Sequence, residues 1–438
     1  MTVTTAVVVL PRRMAIWAAR RALARNSLTG IELGCSLCAA VWFSAGKPAA
    51  ALAGGAALGG GYLARRVGGQ LTVGTYAGWL AVVCAWAGEL AVYAGLAVGA
   101  AGSPTVAWKL ATGIAMLFAL RKVTRLCRLA QLAAYPAAQP SGAVAPPDTA
   151  RPTVGLVAGQ VLAVPAWLRA LVITGTAAYY GNRTALLAMT GCAAVALAWA
   201  LVAGPHRPRS LARVGSRGSA GHPGSTGHPG STGTPAEYGG VAACRDDGPI
   251  ARFAGALVHG QLVPLPPAIA GLIATLLLAA LGLGMLDGLV LLTPVAAMLL
   301  AAPGSAHPHD GPLDWLAPIV IQAGQYIYLA ALGFAVGVPG PVTFALIGLT
   351  GLRQLDVAYQ ARYPVTPRGA RVSLGWEGRM LVAGFSAMVG LGTVGYLALI
   401  GYLGWLLLGN GLAGWFLASR RIKTARINNG GALRASAR

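Results

Sequence analysis

Residues 73–101 read VGTYAGWLAVVCAWAGELAVYAGLAVGAA, twenty-nine positions with a single charged side chain, Glu89. A helix that is apolar all round belongs in a large core or in lipid. About 20 such residues cross a bilayer, so this run spans one and tilts or projects beyond it. Similar runs occupy 28–46, 48–64, 104–121, 155–180 and 183–203. Others lie near 261–284, 286–302, 314–336 and 340–360, and 379–418 has room for two more, hinged around Gly401 and Gly404. The pattern predicts an all-α, polytopic integral membrane protein with about 10–12 transmembrane helices in two bundles.

The whole chain agrees with that run. Hydrophobic residues make up 56% of the 438 positions and charged residues 10%, against roughly 25% charged in a soluble domain. That balance excludes a soluble enzyme, a disordered protein and a secreted disulfide scaffold. The 33 Lys and Arg outnumber the 11 Asp and Glu, for a net charge of +22. They fall between apolar runs rather than on a nucleic-acid-binding face. Arg12, Arg13, Arg20, Arg21 and Arg25 precede the first run, and Arg65 and Arg66 follow the second. Arg121, Lys122, Arg125, Arg128 and Arg151 follow the fourth, and Arg207, Arg209, Arg213 and Arg217 the sixth. The connections between hold only Lys47 and Arg183. Positive charge marks the cytoplasmic side, so a multi-pass cell-membrane protein with both termini cytoplasmic is expected.

Four segments follow. Residues 1–27 are a basic amphipathic N-terminal segment, and 28–204 a six-helix membrane domain. Residues 205–245 read as a flexible Gly/Pro/Ser/His linker with GHPGST at 221–226 and again at 227–232. Residues 246–438 form a second membrane domain. Cys35 and Cys38 sit in an apolar helix with no second pair and no nearby His, so they are expected to pack rather than to bind metal.

Gly61-Tyr-Leu-Ala64-Arg65 is followed, after eight residues, by Gly74. This resembles the CDP-alcohol phosphotransferase family of membrane enzymes, whose pattern is D-x-x-D-G-x-x-A-R, eight residues, then G-x-x-x-D-x-x-x-D. Glu89-Leu-Ala-Val-Tyr93-Ala-Gly95, Trp167-Leu-Arg169 and Gly181-Asn-Arg183-Thr184 extend the resemblance over about 30–210. It implies a six-helix scaffold and transfer of a phosphatidyl-type group from a CDP-linked donor to an alcohol. It also implies a phosphate- or nucleotide-binding remnant at Gly61, Ala64, Arg65 and Gly74. The second half resembles an uncharacterised membrane domain fused behind such transferases in actinobacteria, on Asp246-Asp-Gly248-Pro, Ala302-Pro-Gly-Ser305, His307-Pro-His-Asp310-Gly and Leu374-Gly-Trp376-Glu377-Gly-Arg379. That resemblance implies architecture and no chemistry.

The family's four aspartates bind two divalent metals, and the last also acts as base. Their positions here are Ala57, Gly60, Gly78 and Val82, or Ala81 and Ala85 for the last pair if three residues are inserted. Between residues 33 and 147 the only carboxylate is Glu89. Two hard cations need several carboxylate oxygens, so no metal, no cofactor and no catalytic residue is expected.

The remaining intramembrane charges define a candidate polar site: Glu89, Lys109, Arg353, Asp356 and Glu377. Glu89 and Lys109 lie on consecutive helices and are expected to pair. Arg353 and Asp356 share a helix face. Gln322, Gln325, Tyr326 and Tyr328 add hydrogen-bonding groups, and His307, His309, Asp310 and Asp314 form a polar turn. The leading expectation is a transferase-like scaffold that binds membrane lipids, phosphate-bearing or CDP-linked, or a protein partner in envelope phospholipid metabolism. An active transferase and a transporter of small or lipid-linked solutes are the alternatives. No nucleic acid is expected, and a homodimer is left open.

Overall fold

The structure, a computed structural model, describes residues 25–70, 75–134, 164–202, 244–258, 262–281, 288–307, 313–362 and 373–413. Gly74, the N-terminal amphipathic segment up to residue 24, the GHPGST copies, His309 and Asp310 lie outside them. The described residues are helical, with no strand. The first half contains α1 (Arg25–Ser44), α2 (Pro48–Gly68), α3 (Thr75–Val98), α4 (Pro104–Ala134), α5 (Ala166–Tyr180) and α6 (Asn182–Val202). The second contains α7 (Pro249–Val258), α8 (Leu265–Leu281), α9 (Thr293–Leu299), α10 (Ala317–Ala335), α11 (Gly340–Arg362), α12 (Gly375–Met388) and α13 (Gly392–Ala413).

Five segments among the described residues are long and apolar enough to cross a membrane: Asn26–Ser44, Tyr76–Val98, Asn182–Val202, Asp314–Ala335 and Gly392–Ala413. The protein is an all-α membrane protein. Several elements depart from their expected form, each for a local reason. Helix α4 does not stop at 121 but runs to Ala134, about 46 Å at 1.5 Å per residue. Val123 and Cys127, four apart, are fully buried and keep one face of the extension packed. The basic residues expected in a loop therefore ride on a helix. The run 286–302 is not one span but a 3₁₀ turn at Gly288–Leu292, the seven-residue α9, and a second 3₁₀ turn at Ala302–Ala306. Pro294 and Pro303 lack the amide needed to continue a helix past the preceding turn.

The hinge in the last pair is also elsewhere. Gly401 and Gly404 lie inside continuous α13, where an added Cβ would meet nothing within 4 Å. The break falls at Gly390, whose φ of +74° closes α12.

The two halves share one apolar core. Trp86 and Tyr93 on α3 and Phe118 on α4 belong to the same buried cluster as Leu346 and Ile347 on α11 and Tyr326 on α10. Within the first half, α1 and α3 pack closely because α3 offers glycines. A Cβ on Gly88 would lie 2.8 Å from the Ser36 side chain, and one on Gly95 would overlap the Ala40 carbonyl. Small residues permit this approach in helices that gain no hydrophobic free energy from leaving lipid.

Candidate functional site

That close α1–α3 contact leaves a cleft on its flank, walled by α1, α2, α3 and α5. Leu58, Val92 and Ile173 supply apolar wall, and Glu32, Arg65, Glu89 and Arg169 supply charge. About 570 Å³ of space lies in and before the cleft, open solvent included.

Its charges are already committed in part. Arg169 grips Glu89 as a fork, Nη1 to Oε2 at 3.0 Å and Nη2 to Oε1 at 3.1 Å. Lys122 on the α4 extension donates to Oε2 at 2.9 Å. Both cations are backed by aromatic faces, Lys122 4.3 Å from the Trp86 centroid and Arg169 4.9 Å from that of Phe118. Both oxygens of Glu89 are thus occupied by cations, which is how a carboxylate persists away from water. Arg65 differs. Its side chain is 43% exposed on the rim, 3.3 Å from Glu32. The cleft lining itself carries two cations and two carboxylates, and Lys122 adds a further cation to Glu89 from α4.

The structure sorts the expected residues sharply. Gly61, Arg65 and Glu89 line this cleft, while Ala64 faces an adjoining recess bordered by Glu32 and Arg65. Of the positions where the resemblance would place aspartates, Gly78, Ala81 and Val82 line that same recess and Ala85 lines the cleft, whereas Ala57 and Gly60 line neither. Among the described residues, Glu32 and Glu89 are the only carboxylates lining the two recesses. Glu89 cannot release an oxygen to a metal without stranding Arg169 and Lys122. The residues present do not fit a two-metal centre, and among the described residues no three His, Cys, Asp or Glu side chains group closely enough to hold one ion.

The expected Glu89–Lys109 pair is not formed. Lys109 is exposed, with its Nζ 5.6 Å from the Phe334 ring. Lys122 takes its place because residues thirteen apart point about 140° apart around a helix. Arg353, Asp356 and Glu377 are not in the cleft either. They belong to a second assembly, a buried ionic knot where the second half begins. Arg353 Nη1 pairs with Asp356 at 2.8 Å as expected, and Nη2 lies 3.7 Å from Asp246. Asp246 meets Arg379 at 2.6 Å, and Arg379 reaches Gln325 at 3.3 Å. Asp247 binds Arg245 at 2.7 Å and accepts from the Trp376 indole at 2.9 Å. Burial raises the Asp246 carboxyl, but the Arg379 and Arg353 guanidiniums outweigh it and hold the group below its ordinary value.

Glu377 has a different task. Its two oxygens accept from the amides of Gly248 and Ala251, both at 3.1 Å, and so cap α7. The joint requires glycine on both sides. Gly375 has φ of +65°, and a Cβ on it or on Gly248 would overlap the facing backbone. Elsewhere, Tyr328 donates to the Leu291 carbonyl at 3.0 Å, and His307 lies 3.7 Å from Asp314.

Sequence reasoning did not assign Arg245, Asp246, Asp247, Lys122 or Arg169 to a site. The adjacent carboxylates 246–247 beside Arg245, at the edge of an apolar half, were the available signal. Lys122 and Arg169 looked like ordinary boundary charges.

Fold and sites together define a helical membrane protein with a charged cleft in one half and an ionic knot in the other. Residues 237–422, which contain the knot, match the model of a family of unknown function, DUF5941. No curated protein matches the chain, and no solved structure does.

Proposed function

We propose that the protein binds an anionic phospholipid through the first-half cleft, on a scaffold like that of the CDP-alcohol phosphotransferases but without their metal site. One observation carries this reading: Arg65 presents a half-exposed guanidinium at the rim of a cleft whose deeper cations are locked on Glu89. A guanidinium fork suits phosphate oxygens, and basic pockets between membrane helices receive acidic headgroups. The apolar wall suits the glycerol and upper acyl carbons of the same lipid. A transferase reading needs a free base and metal ligands, and both carboxylates of the cleft face cations, Glu89 two and Glu32 one. Placement in the cell membrane with both termini cytoplasmic is part of the proposal and rests on the alternation of basic connections. Labelling of a cysteine placed at Ser225 only after cells are permeabilised would support it.

The test compares phosphatidylglycerol, phosphatidylcholine and inorganic phosphate as probes of purified protein by native mass spectrometry. Retention of phosphatidylglycerol over phosphatidylcholine, lowered by Arg65→Ala, is expected. Competition by inorganic phosphate alone would show that the lipid tails contribute nothing. Equal retention of both lipids, or indifference to Arg65→Ala, overturns the reading. So does release of CMP from a CDP-linked lipid in the presence of Mg²⁺ or Mn²⁺.

A further inference from the structure

Helix α3 belongs to both sites. Gly78, Ala81, Val82, Ala85, Gly88 and Glu89 turn toward the two recesses. Trp79 and Trp86, seven residues apart and therefore on one face, turn the other way. Each indole donates to α11 of the second half, Trp86 to the Gly348 carbonyl at 3.0 Å and Trp79 to Asp356 Oδ1 at 2.8 Å.

Asp356 is 1% exposed and takes three further bonds: Arg353 and Asn410 on Oδ2, each at 2.8 Å, and Gln360 on Oδ1 at 2.6 Å. Arg353 leads on to Asp246 and Arg379. Trp86 also backs Lys122, the partner of Glu89. Two polar routes therefore join the knot side of the molecule to the cleft wall through one helix. Apolar packing alone leaves a helix free to roll by small angles; a buried, directional indole bond to a fixed carboxylate does not.

We infer that the second half sets the ligand affinity of the first-half cleft, with Trp79 and Asp356 as positioning residues that fix the rotation of α3. The ligand in this inference is the anionic lipid of the proposed function, on which that part rests; the restraint on α3 does not depend on it.

The experiment uses the full chain and two readouts. Trp79→Phe keeps the ring and removes only the donor. It should speed hydrogen exchange across residues 78–92 and weaken phosphatidylglycerol retention about three- to tenfold. Asp356→Asn should act in the same direction and further, since it also takes the charge opposite Arg353, and adding Trp79→Phe to it should change little, because the bond that Trp79→Phe removes is already weakened. Tyr396→Phe is the control. It deletes a buried bond to the Leu329 carbonyl within the second half and should leave both readouts unchanged. Unaltered exchange over 78–92 in Trp79→Phe overturns the inference, as does an equal effect of Tyr396→Phe. If the unmodified protein ignores phosphatidylglycerol while Trp79→Phe still loosens α3, the lipid reading fails and the restraint stands.

Discussion

The cleft and the knot are built from the same chemistry, arginine against carboxylate, in different surroundings. In the knot, Arg379 and Asp246 are 0% and 5% exposed and their bonds lead to further buried partners. In the cleft, Arg65 meets Glu32 at the rim with much of its side chain in the open. A buried pair fixes geometry because losing one member strands the other. A half-exposed arginine on a largely buried carboxylate is held on one side and keeps donors turned to the opening. The difference separates a joint that holds the fold together from a surface that can accept a ligand.

The largest expected effect breaks the knot. Arg379→Leu leaves Asp246 buried without its closest cation and should cost about 3–5 kcal/mol, read as loss of monodisperse protein or a large fall in melting temperature. Gly375→Ala comes next. The positive φ alone should cost about 1–3 kcal/mol, and overlap with Gly248 adds to it; Gly390→Ala, with nothing near its Cβ, should show only the conformational part. Melting temperatures of the two variants, compared directly, test that ordering.

Acid should loosen the knot. Asp246 has a folded-state pKa below its unfolded value, so its stabilisation is present above the unfolded value of about 3.9 and is lost as pH falls through and below it. Melting temperature should decline from pH 5 toward pH 3, and Asp246→Asn, less stable at neutral pH, should show a flatter decline. A steeper decline in the variant would contradict the sign. The smallest stability effect belongs to the rim: Arg65→Ala should cost clearly less than Arg379→Leu, because the largely buried Glu32 keeps a further partner, while reducing phosphatidylglycerol retention. A large stability loss there would erase the contrast between the regions.

Residues 73–101 decided the fold class in advance, because a long apolar run with one charge has few places to reside. The carboxylate count between residues 33 and 147 likewise bounds what that stretch could coordinate, since composition alone limits the ligands available to an ion. Boundaries and partners were another matter. Helix α4 outran its apolar stretch because Val123 and Cys127 found a packed face, which hydropathy does not register. Glu89 met Lys122 and Arg169 rather than Lys109, and that choice depended on how three helices rotate against each other. Asp246, Arg353 and Arg379 are separated by more than a hundred residues from first to last and have no local pattern in common. The sequence by itself determined that the chain is helical, enters lipid and carries few intramembrane charges, because those properties follow from side-chain type and spacing. Beyond the i,i+3 pair of Arg353 and Asp356, only the tertiary structure decided which charges meet, because a buried ion takes the partner that packing brings within about 3–4 Å, and packing is set by the shape of the whole bundle.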